Sequence, residues 1–554
     1  MCGIFAYLLF KNEIKSRPSK NIKENSRLIF GRGPDVNKEW IFEEDEIYLN
    51  LDFYRLSIID TSSNGDQPLK HPTKDIWIIC NGEIYNHEKL KLENNFETSS
   101  NSDCEIILHM YEKYGIRRTV ENLDGVFSFI LYDKKKKKIF AARDPIGVRP
   151  LFFAINNQEK SMAFASEMKC LTNLFDTVDI FQPGHYLEMA IEDNTFSNIK
   201  SIEVLNNFSI KYQKFCYYQY YYPENYKKEA EALIDIRNMF IDGVNKRLMS
   251  DRPVGCLLSG GLDSSLVSSI VSMSYEDKKN LHTFSIGLEN SPDLDNAEIV
   301  SKYLGTTHHR VELKVEDFIE AIPEVIKTIE TYDITTIRAS VPNYLLAKYI
   351  SENTDIIVIL SGEGADEIFG GYLYFHYAPS EEEFQEETHR RVRLLHQFDV
   401  LRCDRTTATH GLEVRVPFLD KEFINYVLSL DPALKISNNK RIEKWILRKA
   451  FEGFLPEKIL WRQKDAFSDA VGYTWVSKIK EISKNNISLE RYENRKELYP
   501  HNTPDTEEAF YYREIFEEYY PNKSHLISEI WRPKWTDITE PSATALKVHN
   551  NKQN

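Results

Sequence analysis

The apolar pattern changes character partway along this chain of 554 residues, and the change sets two separate folding problems. Up to about residue 205 the sequence reads mostly as short strands. Ile4 to Phe10 is one, Ile76-Trp77-Ile78-Ile79-Cys80 ends at a turn-forming Asn81-Gly82, and Gly125 to Tyr132 leads into a basic run, Lys134 to Lys138. Many short strands with few helical periods predict an α+β, sandwich-like layer structure. Beyond Lys228 strands and helices alternate: Val254 to Leu258, a helix from about Asp263, His282 to Gly287, a helix over Leu294 to Leu304, then Asp355 to Leu360. Alternation of this kind predicts βαβ units and an α/β fold with a parallel sheet. From about Pro379 onward the pattern is mainly helical. The Tyr-rich, Pro-containing sequence before Lys228 has no period and reads as a linker. The expected bounds are a first domain over 2–205, a linker over 206–228, a second domain over 229–535 and a polar tail over 536–554. A chain this long exceeds what one core can organise.

Composition narrows the function classes. A net charge of −15 argues against a general nucleic-acid binder, which needs a surplus of Lys and Arg to neutralise phosphates. The run Lys134 to Lys138 sits where a hairpin turn is expected, so it reads as a solvated loop. Seven cysteines, scattered and without CxxC spacing, read as reduced thiols of a cytoplasmic protein. Ile4 to Phe10 lacks a basic leader and is too short to span a bilayer, so it reads as a buried strand and no membrane role is expected.

Two stretches carry chemistry. Loss of Met1 would leave Cys2 with its own α-amine, whose ordinary pKa of about 7.7–8.0 lies near that of a thiol at about 8.5. Such an amine is a suitable intramolecular base, and the thiolate is the attacking species. The alternative for a lone cysteine is a buried strand residue. Asn81-Gly82 offers a side-chain amide and a backbone N–H, the donors an oxyanion hole needs. Arg55 is suited to a bidentate grip on a carboxylate, and Glu83 and Asp103 to holding an α-ammonium group. The second stretch is Ser259-Gly260-Gly261-Leu262-Asp263-Ser264-Ser265, after an apolar run. It lacks the Walker spacing and its lysine. Two glycines still let backbone N–H groups approach phosphate, and the following helix presents its positive end. Ser259 and Ser264 add hydroxyls, and Asp263 suits a phosphate-bound Mg²⁺. Leu258, Ile286 and Ser361-Gly362 fall at carboxyl ends of strands, where adenine and ribose are expected.

Met1-Cys2-Gly3-Ile4, Arg32-Gly33-Pro34-Asp35, Arg55-Leu56-Ser57, Asn81 to Asn86 and Arg143-Asp144-Pro145-Ile146-Gly147 follow in the order seen in class II glutamine amidotransferase domains. The resemblance implies an N-terminal-nucleophile hydrolase αββα sandwich. It implies that Cys2 attacks the side-chain amide of glutamine and that Asn81 and Gly82 stabilise the oxyanion. Arg55, Leu56, Ser57, Ile58, Ile59, Glu83 and Asp103 would then surround the substrate. The Ser259 to Ser265 string resembles the pyrophosphate loop of N-type ATP pyrophosphatases. Three later strings, Thr331 to Ser340, Ser361 to Glu367 and Trp461 to Asp469, complete a likeness to glutamine-hydrolysing asparagine synthetases over roughly residues 2 to 535. That likeness implies adenylation of aspartate by MgATP, with Thr335, Thr336 and Arg338 on aspartate, Glu363 in forming the adenylate and Lys464 on leaving pyrophosphate. It also implies a shielded interdomain route for ammonia. The implied partners are glutamine, aspartate and ATP, with a homodimer left open. The pattern departs at Gly31 and at Phe53-Tyr54, where such domains often carry histidine, and at Ala365, where serine is common. Two rival readings are a related amide- or lactam-forming adenylating enzyme and a decayed scaffold or storage homologue. The second is disfavoured because Cys2, Asp263 and Lys464 are all present.

Overall fold

The computed structural model describes residues 1–10, 21–44, 47–191, 210–216, 228–438, 441–464 and 473–537. Most of the expected linker and tail, and residues 465–469 of the Trp461 string, lie outside the described residues. The chain forms two compact units. The first holds Met1–Tyr217 with two short later segments, Met249–Arg252 and Ala408–Glu413, and the second holds the remainder.

In the first unit the described strands form two six-stranded sheets. The first sheet runs Val178–Ile180, Phe152–Asn156, Ser161–Ala165, Gly3–Phe10, Ile47–Arg55, Val36–Glu43, with antiparallel neighbours throughout. The second runs Ile210–Lys214, His185–Ala190, Lys138–Arg143, Gly125–Asp133, Ile76–Ile84, Leu69–Lys70, again antiparallel. Side chains alternate across a strand. Ile79 and Ile130 therefore share one core with Ile4, Ala6 and Leu8 between the sheets. Ile78 and Cys80 face the other way and pack with Ile107 and Met110 of the helix Ile106–Asn122. Both faces of Ile76–Ile84 are covered, which explains an unbroken apolar run where a half-exposed strand would alternate. On the outer face of the first sheet Tyr7 meets Phe175, ring centroids 6.2 Å apart, beside the helical turns at Ile22–Ser26 and Arg27–Arg32. The result is the four-layer αββα sandwich.

The linker reading needs correction at its start. Ile210–Lys214 is a strand that pairs with His185–Ala190. Ile210 is fully buried, and the Tyr212 ring stacks on His185 at 5.0 Å. A tyrosine-rich sequence hid a two-residue alternation. Lys134 to Lys138 does form the hairpin turn expected of it, between Gly125–Asp133 and Lys138–Arg143. Where the sheet edges would otherwise be open, Trp40 of one sheet stacks on Trp77 of the other at 5.0 Å, with Lys70 over the Trp77 ring. Aromatic cover with lysine above it blunts an edge strand against pairing with other chains.

The second unit carries a sheet ordered Thr307–Leu313, His282–Leu288, Val254–Leu257, Val358–Leu360, Glu413–Arg415, in which the first four strands are parallel. The chain moves outward one way from Val254–Leu257 and then returns to its other side with Val358–Leu360. That reversal opens a crevice at the carboxyl ends of these two strands. Helices dominate beyond Glu381. Among the described residues no helix is long and apolar enough to cross a membrane, and the seven cysteines all remain thiols.

The Arg143 to Gly147 string is a folding device. Asp144, 1% exposed, accepts from the backbone N–H groups of Ile146, Gly147, Val148 and Arg149 at 2.7–3.1 Å. Arg143 reaches back to the carbonyls of Gly147, Arg149 and Phe181. Stranding a buried amide costs roughly 1–3 kcal/mol. Asp144→Ala is therefore expected to destabilise the first unit by about 3 kcal/mol or more, read as a lower urea midpoint of its unfolding transition.

Candidate functional sites

Cys2 stands at the head of the strand Gly3–Phe10 and packs against the intersheet core. Its sulfur accepts from Leu56 N–H at 3.4 Å and approaches Leu56 O at 3.6 Å. Its carbonyl accepts from Arg32 Nε at 2.9 Å, and Arg32 is itself held by Glu167 at 2.7 Å. Gly33 lies so close to Tyr54 that a Cβ there would come within 2.1 Å of its carbonyl oxygen. Asp35 receives the Ser57 N–H at 2.8 Å. Arg32 to Asp35 thus splices the nucleophile to the Arg55 strand, a role the sequence did not disclose.

Asn81 and Glu83 share the strand face of Ile79, which looks into the intersheet space. Asn81 is fully buried, and among the described residues neither atom of its amide has a hydrogen-bond partner. A buried amide left open is costly, and an oxyanion would satisfy its donor. Gly82 has a separate reason to be glycine: a Cβ would lie 2.3 Å from Val126 O on the paired strand. Asp103 accepts the Ile84 N–H at 2.6 Å, so it braces the strand that carries Asn81. Gly31, where histidine is usual, faces Thr409, whose carbonyl oxygen would be 2.6 Å from a Cβ. Phe53 fills the core at 1% exposure, and Tyr54 bonds Ser26 at 3.0 Å. Ala365 is buried at the start of the short helix Ala365–Phe369.

One feature differs from the expectations, and the thiol is seen in the state before Met1 is lost. Arg55 does not present an open fork: its terminal nitrogens hold Ser62 O, Asp66 Oδ1, Ile59 O and Asp60 O, shaping the loop that carries Leu56, Ser57, Ile58 and Ile59. Gripping a substrate carboxylate would require exchanging those bonds. The thiol is also not activated while Met1 is attached. Burial pushes Cys2 up to about 11, against the opposing pull of the Met1 amine and Leu56. Met1 is fully buried and its α-amine donates to Leu412 O at 3.0 Å.

In the second unit one cleft, about 1320 Å³ with its mouth included, gathers both glycine loops. Leu258, Ser259, Gly261, Asp263, Ser264, Ile286, Ser361 and Gly362 all line it. Gly260 adopts φ +73°, and a Cβ there would lie 2.4 Å from Ala297 N. Only glycine takes that conformation at that distance without strain. Ser259 and Ser264 lock the loop through their hydroxyls at 3.0 Å. Gly362 leans on the helix Leu262–Met273, so that a Cβ would meet Ser264 N at 2.7 Å.

The charges of the cleft centre on Asp263 and Asp366. Lys444 Nζ bridges Asp263 at 2.6 Å and Asp366 at 2.7 Å, while Lys464 Nζ meets the other Asp366 oxygen at 2.6 Å. Burial alone would raise the Asp366 carboxyl, but the two ammonium groups hold it well below the usual range. Burial pushes Glu363 up to about 7, although Arg402 donates to it at 2.8 Å. Arg402 also holds Asp399 at 2.6 Å. Lys444, Asp366, Asp399 and Arg402 had no assigned role in the sequence reading. Asp366 at least stood inside the Ser361 to Glu367 string, whereas Lys444 and Arg402 belong to no motif. Asp263 Oδ1 is buried without a partner among the described residues. Asp263 Oδ1 is thus the open hard oxygen that suits Mg²⁺ together with phosphate oxygens and water, while both Asp366 oxygens are held by the lysines.

The aspartate assignment divides. Thr335 lines the cleft, and among the described residues its hydroxyl has no partner. Thr336 instead bonds Asp333 through both N–H (2.8 Å) and hydroxyl (2.7 Å), capping the helix Ile334–Asn353. Arg338 makes a bidentate pair with Glu508 at 2.8 and 2.6 Å, with both side chains at most 3% exposed. The cleft face of this helix is Thr335, Ala339, Asn343 and Leu346, a helical spacing that turns Thr336 and Arg338 aside.

A half-buried thiol and an open amide in one unit, with a cleft walled by two glycine loops in the other, fit a glutamine amidotransferase coupled to a nucleotide-using synthetase. Residues 1–221 match the glutamine amidotransferase domain, and residues 235–382 and 377–545 match asparagine synthase. The chain is 43% identical to asparagine synthetase [glutamine-hydrolyzing] of Cricetulus griseus over 99% of its length and 98% of that protein's. It is equally 43% identical to the Homo sapiens protein of that name, with the same coverage of both. A probable asparagine synthetase of Dictyostelium discoideum is 42% identical over 99% of each. The chain belongs to the glutamine-hydrolysing asparagine synthetase family.

Breaking a buried ion pair from one side costs roughly 3–5 kcal/mol. Glu508→Ala is expected to lose about that much stability in thermal or urea unfolding. Thr335→Val, which removes a hydroxyl with no bond to break, is expected to stay within about 1 kcal/mol of the parent while aspartate-dependent turnover falls.

Proposed function

We propose that this protein makes asparagine from aspartate, with ATP activating the carboxylate and glutamine supplying the nitrogen. The observation that carries the proposal is the cleft in which Asp263 and Asp366 meet Lys444 and Lys464 beside two glycine loops, in a chain whose other unit ends on Cys2. The β-carboxylate of aspartate is a poor electrophile because its charge is delocalised. Attack of that carboxylate on the α-phosphorus of ATP gives β-aspartyl-AMP and releases pyrophosphate. Lys464 and Lys444 stabilise charge on the departing phosphates, and the helix N-terminus at Leu262 adds its dipole. Asp263 would hold Mg²⁺, which supplies charge neutralisation on the phosphates when bound. Thr335 donates to aspartate, and Glu363 serves adenylate formation. Neutral ammonia then displaces AMP.

At the first site Met1 must be removed. Cys2 then carries an α-amine as its base, and the thiolate attacks the glutamine amide carbon. A thioester forms, ammonia leaves, and water hydrolyses the thioester to glutamate. Asn81 and Gly82 receive the oxyanion in both halves. Glu83 and Asp103 hold the α-ammonium end of glutamine, and the Leu56 to Ile59 loop built by Arg55 surrounds the amino-acid end. Seven cysteines held as thiols in an acidic protein suit the cytoplasm.

Cys2→Ala is expected to abolish glutamine-dependent asparagine synthesis and to leave the ammonium-dependent reaction within about twofold, followed by asparagine and pyrophosphate release. Asp263→Ala should suppress pyrophosphate release with either nitrogen donor. Equal loss of both reactions in a folded Cys2→Ala protein would refute this division of labour. A second measurement uses pH. A thiol raised to about 11 stays protonated below that value, so protein retaining Met1 should alkylate at Cys2 only as pH climbs toward 11. Trimmed protein should alkylate near neutrality, scored by mass spectrometry of the N-terminal peptide.

A further inference from the structure

We propose that Glu443 is a positioning residue for the adenylation cleft, fixing the places from which Lys444 and Lys464 present their ammonium groups. Its side chain is 1% exposed and does not line the cleft. Oε1 accepts the backbone N–H of Lys464 at 2.7 Å and Arg448 Nη2 at 3.0 Å. Oε2 faces His376 Nε2 at 3.6 Å. Arg448 also donates from Nε to the Glu443 carbonyl at 2.8 Å and from Nη1 to Leu460 O at 2.6 Å. The Arg448 guanidinium therefore ties the Glu443 backbone to the segment leading into Lys464. One carboxylate holds the Lys464 main chain directly, and Lys444 by being its neighbour in sequence.

Lys444 needs such an anchor. It takes φ +55°, the left-handed region that a lysine adopts only when its surroundings impose it. The turn sends adjacent side chains in different directions: Glu443 into the protein, Lys444 onto Asp263 and Asp366. Lys464 reaches Asp366 from the far side. Two ammonium groups from one stretch of the chain thus share one carboxylate, and among the described residues Glu443 with its Arg448 clasp is common to both mounts. Burial would raise the Glu443 carboxyl, but His376, Arg448 and backbone amides including Lys464 outweigh it and hold it below the usual range. It is charged at neutral pH, as the clasp requires.

The proposal rests on the reading that these lysines meet pyrophosphate, so its test separates the two. Four readouts are taken on the full chain with ammonium as nitrogen donor: kcat, inhibition by added pyrophosphate, AMP affinity and thermal midpoint. Glu443→Gln keeps the shape and removes the charge. It is expected to lower kcat and weaken pyrophosphate inhibition by roughly tenfold to a hundredfold, the scale of a small misplacement of reacting groups. AMP affinity should stay within about twofold although the thermal midpoint drops, because a neutral amide leaves the buried Arg448 charge without its ion partner, with Glu443→Asp recovering part of the loss. Lys464→Ala serves as the comparator. If it weakens pyrophosphate inhibition and Glu443→Gln does not, the positioning role is overturned. A Glu443→Gln protein that loses AMP affinity along with kcat would make the residue merely structural and also overturn it. If Lys464→Ala itself leaves pyrophosphate inhibition unchanged, the reading of the cleft fails first.

Discussion

The second unit depends on an ion cluster in which two ammonium groups and two carboxylates neutralise one another inside a partly buried cleft. Taking any of these charges out of water alone would be costly, so each is tolerable only because the others are present. Asp263 comes from the helix after the first glycine loop and Asp366 from the short helix after the second. Lys444 and Lys464 come from the helical region far along the chain. The cluster therefore joins the carboxyl ends of two central strands to elements that no local sequence rule connects.

The first unit solves a different problem with the same economy of groups. It sets Cys2 at the head of the buried strand Gly3–Phe10 and the open Asn81 amide on the intersheet face of the other sheet. Arg32 anchors the nucleophile's carbonyl, Asp35 catches the loop after Arg55, and Asp144 gathers four amides into one tight turn. The motifs that most resemble a family signature are thus partly scaffold. A string shared by a family need not touch substrate in order to be needed for its chemistry.

Much of the fold was legible in the sequence because hydrophobic periodicity is local. The parallel strands Val254–Leu257 and His282–Leu288 fall where apolar runs place them, whereas the strand Ile76–Ile84 continues through Asn81-Gly82, which is paired strand and not the expected turn. The glycine loops were legible because close backbone approach leaves glycine as the only choice. What was not legible depends on partners remote in sequence. Arg338 looks like a substrate clamp until Glu508 is seen beside it. Thr335 and Thr336 are alike as letters, yet a helix turns one into the cleft and the other onto its own cap. Arg55 offers a fork whose prongs its own loop has taken. Lys444 stands in no recognisable string, and its left-handed backbone gives no sign in the letters. The strand Ile210–Lys214 was masked by neighbouring tyrosines that dilute its two-residue rhythm.

The crowding of Gly362 against Ser264, and of Gly260 against Ala297, has a mechanical consequence. Each loop rests its main chain directly on a helix, so any side chain larger than hydrogen at either glycine would lift the loop and widen the crevice it walls.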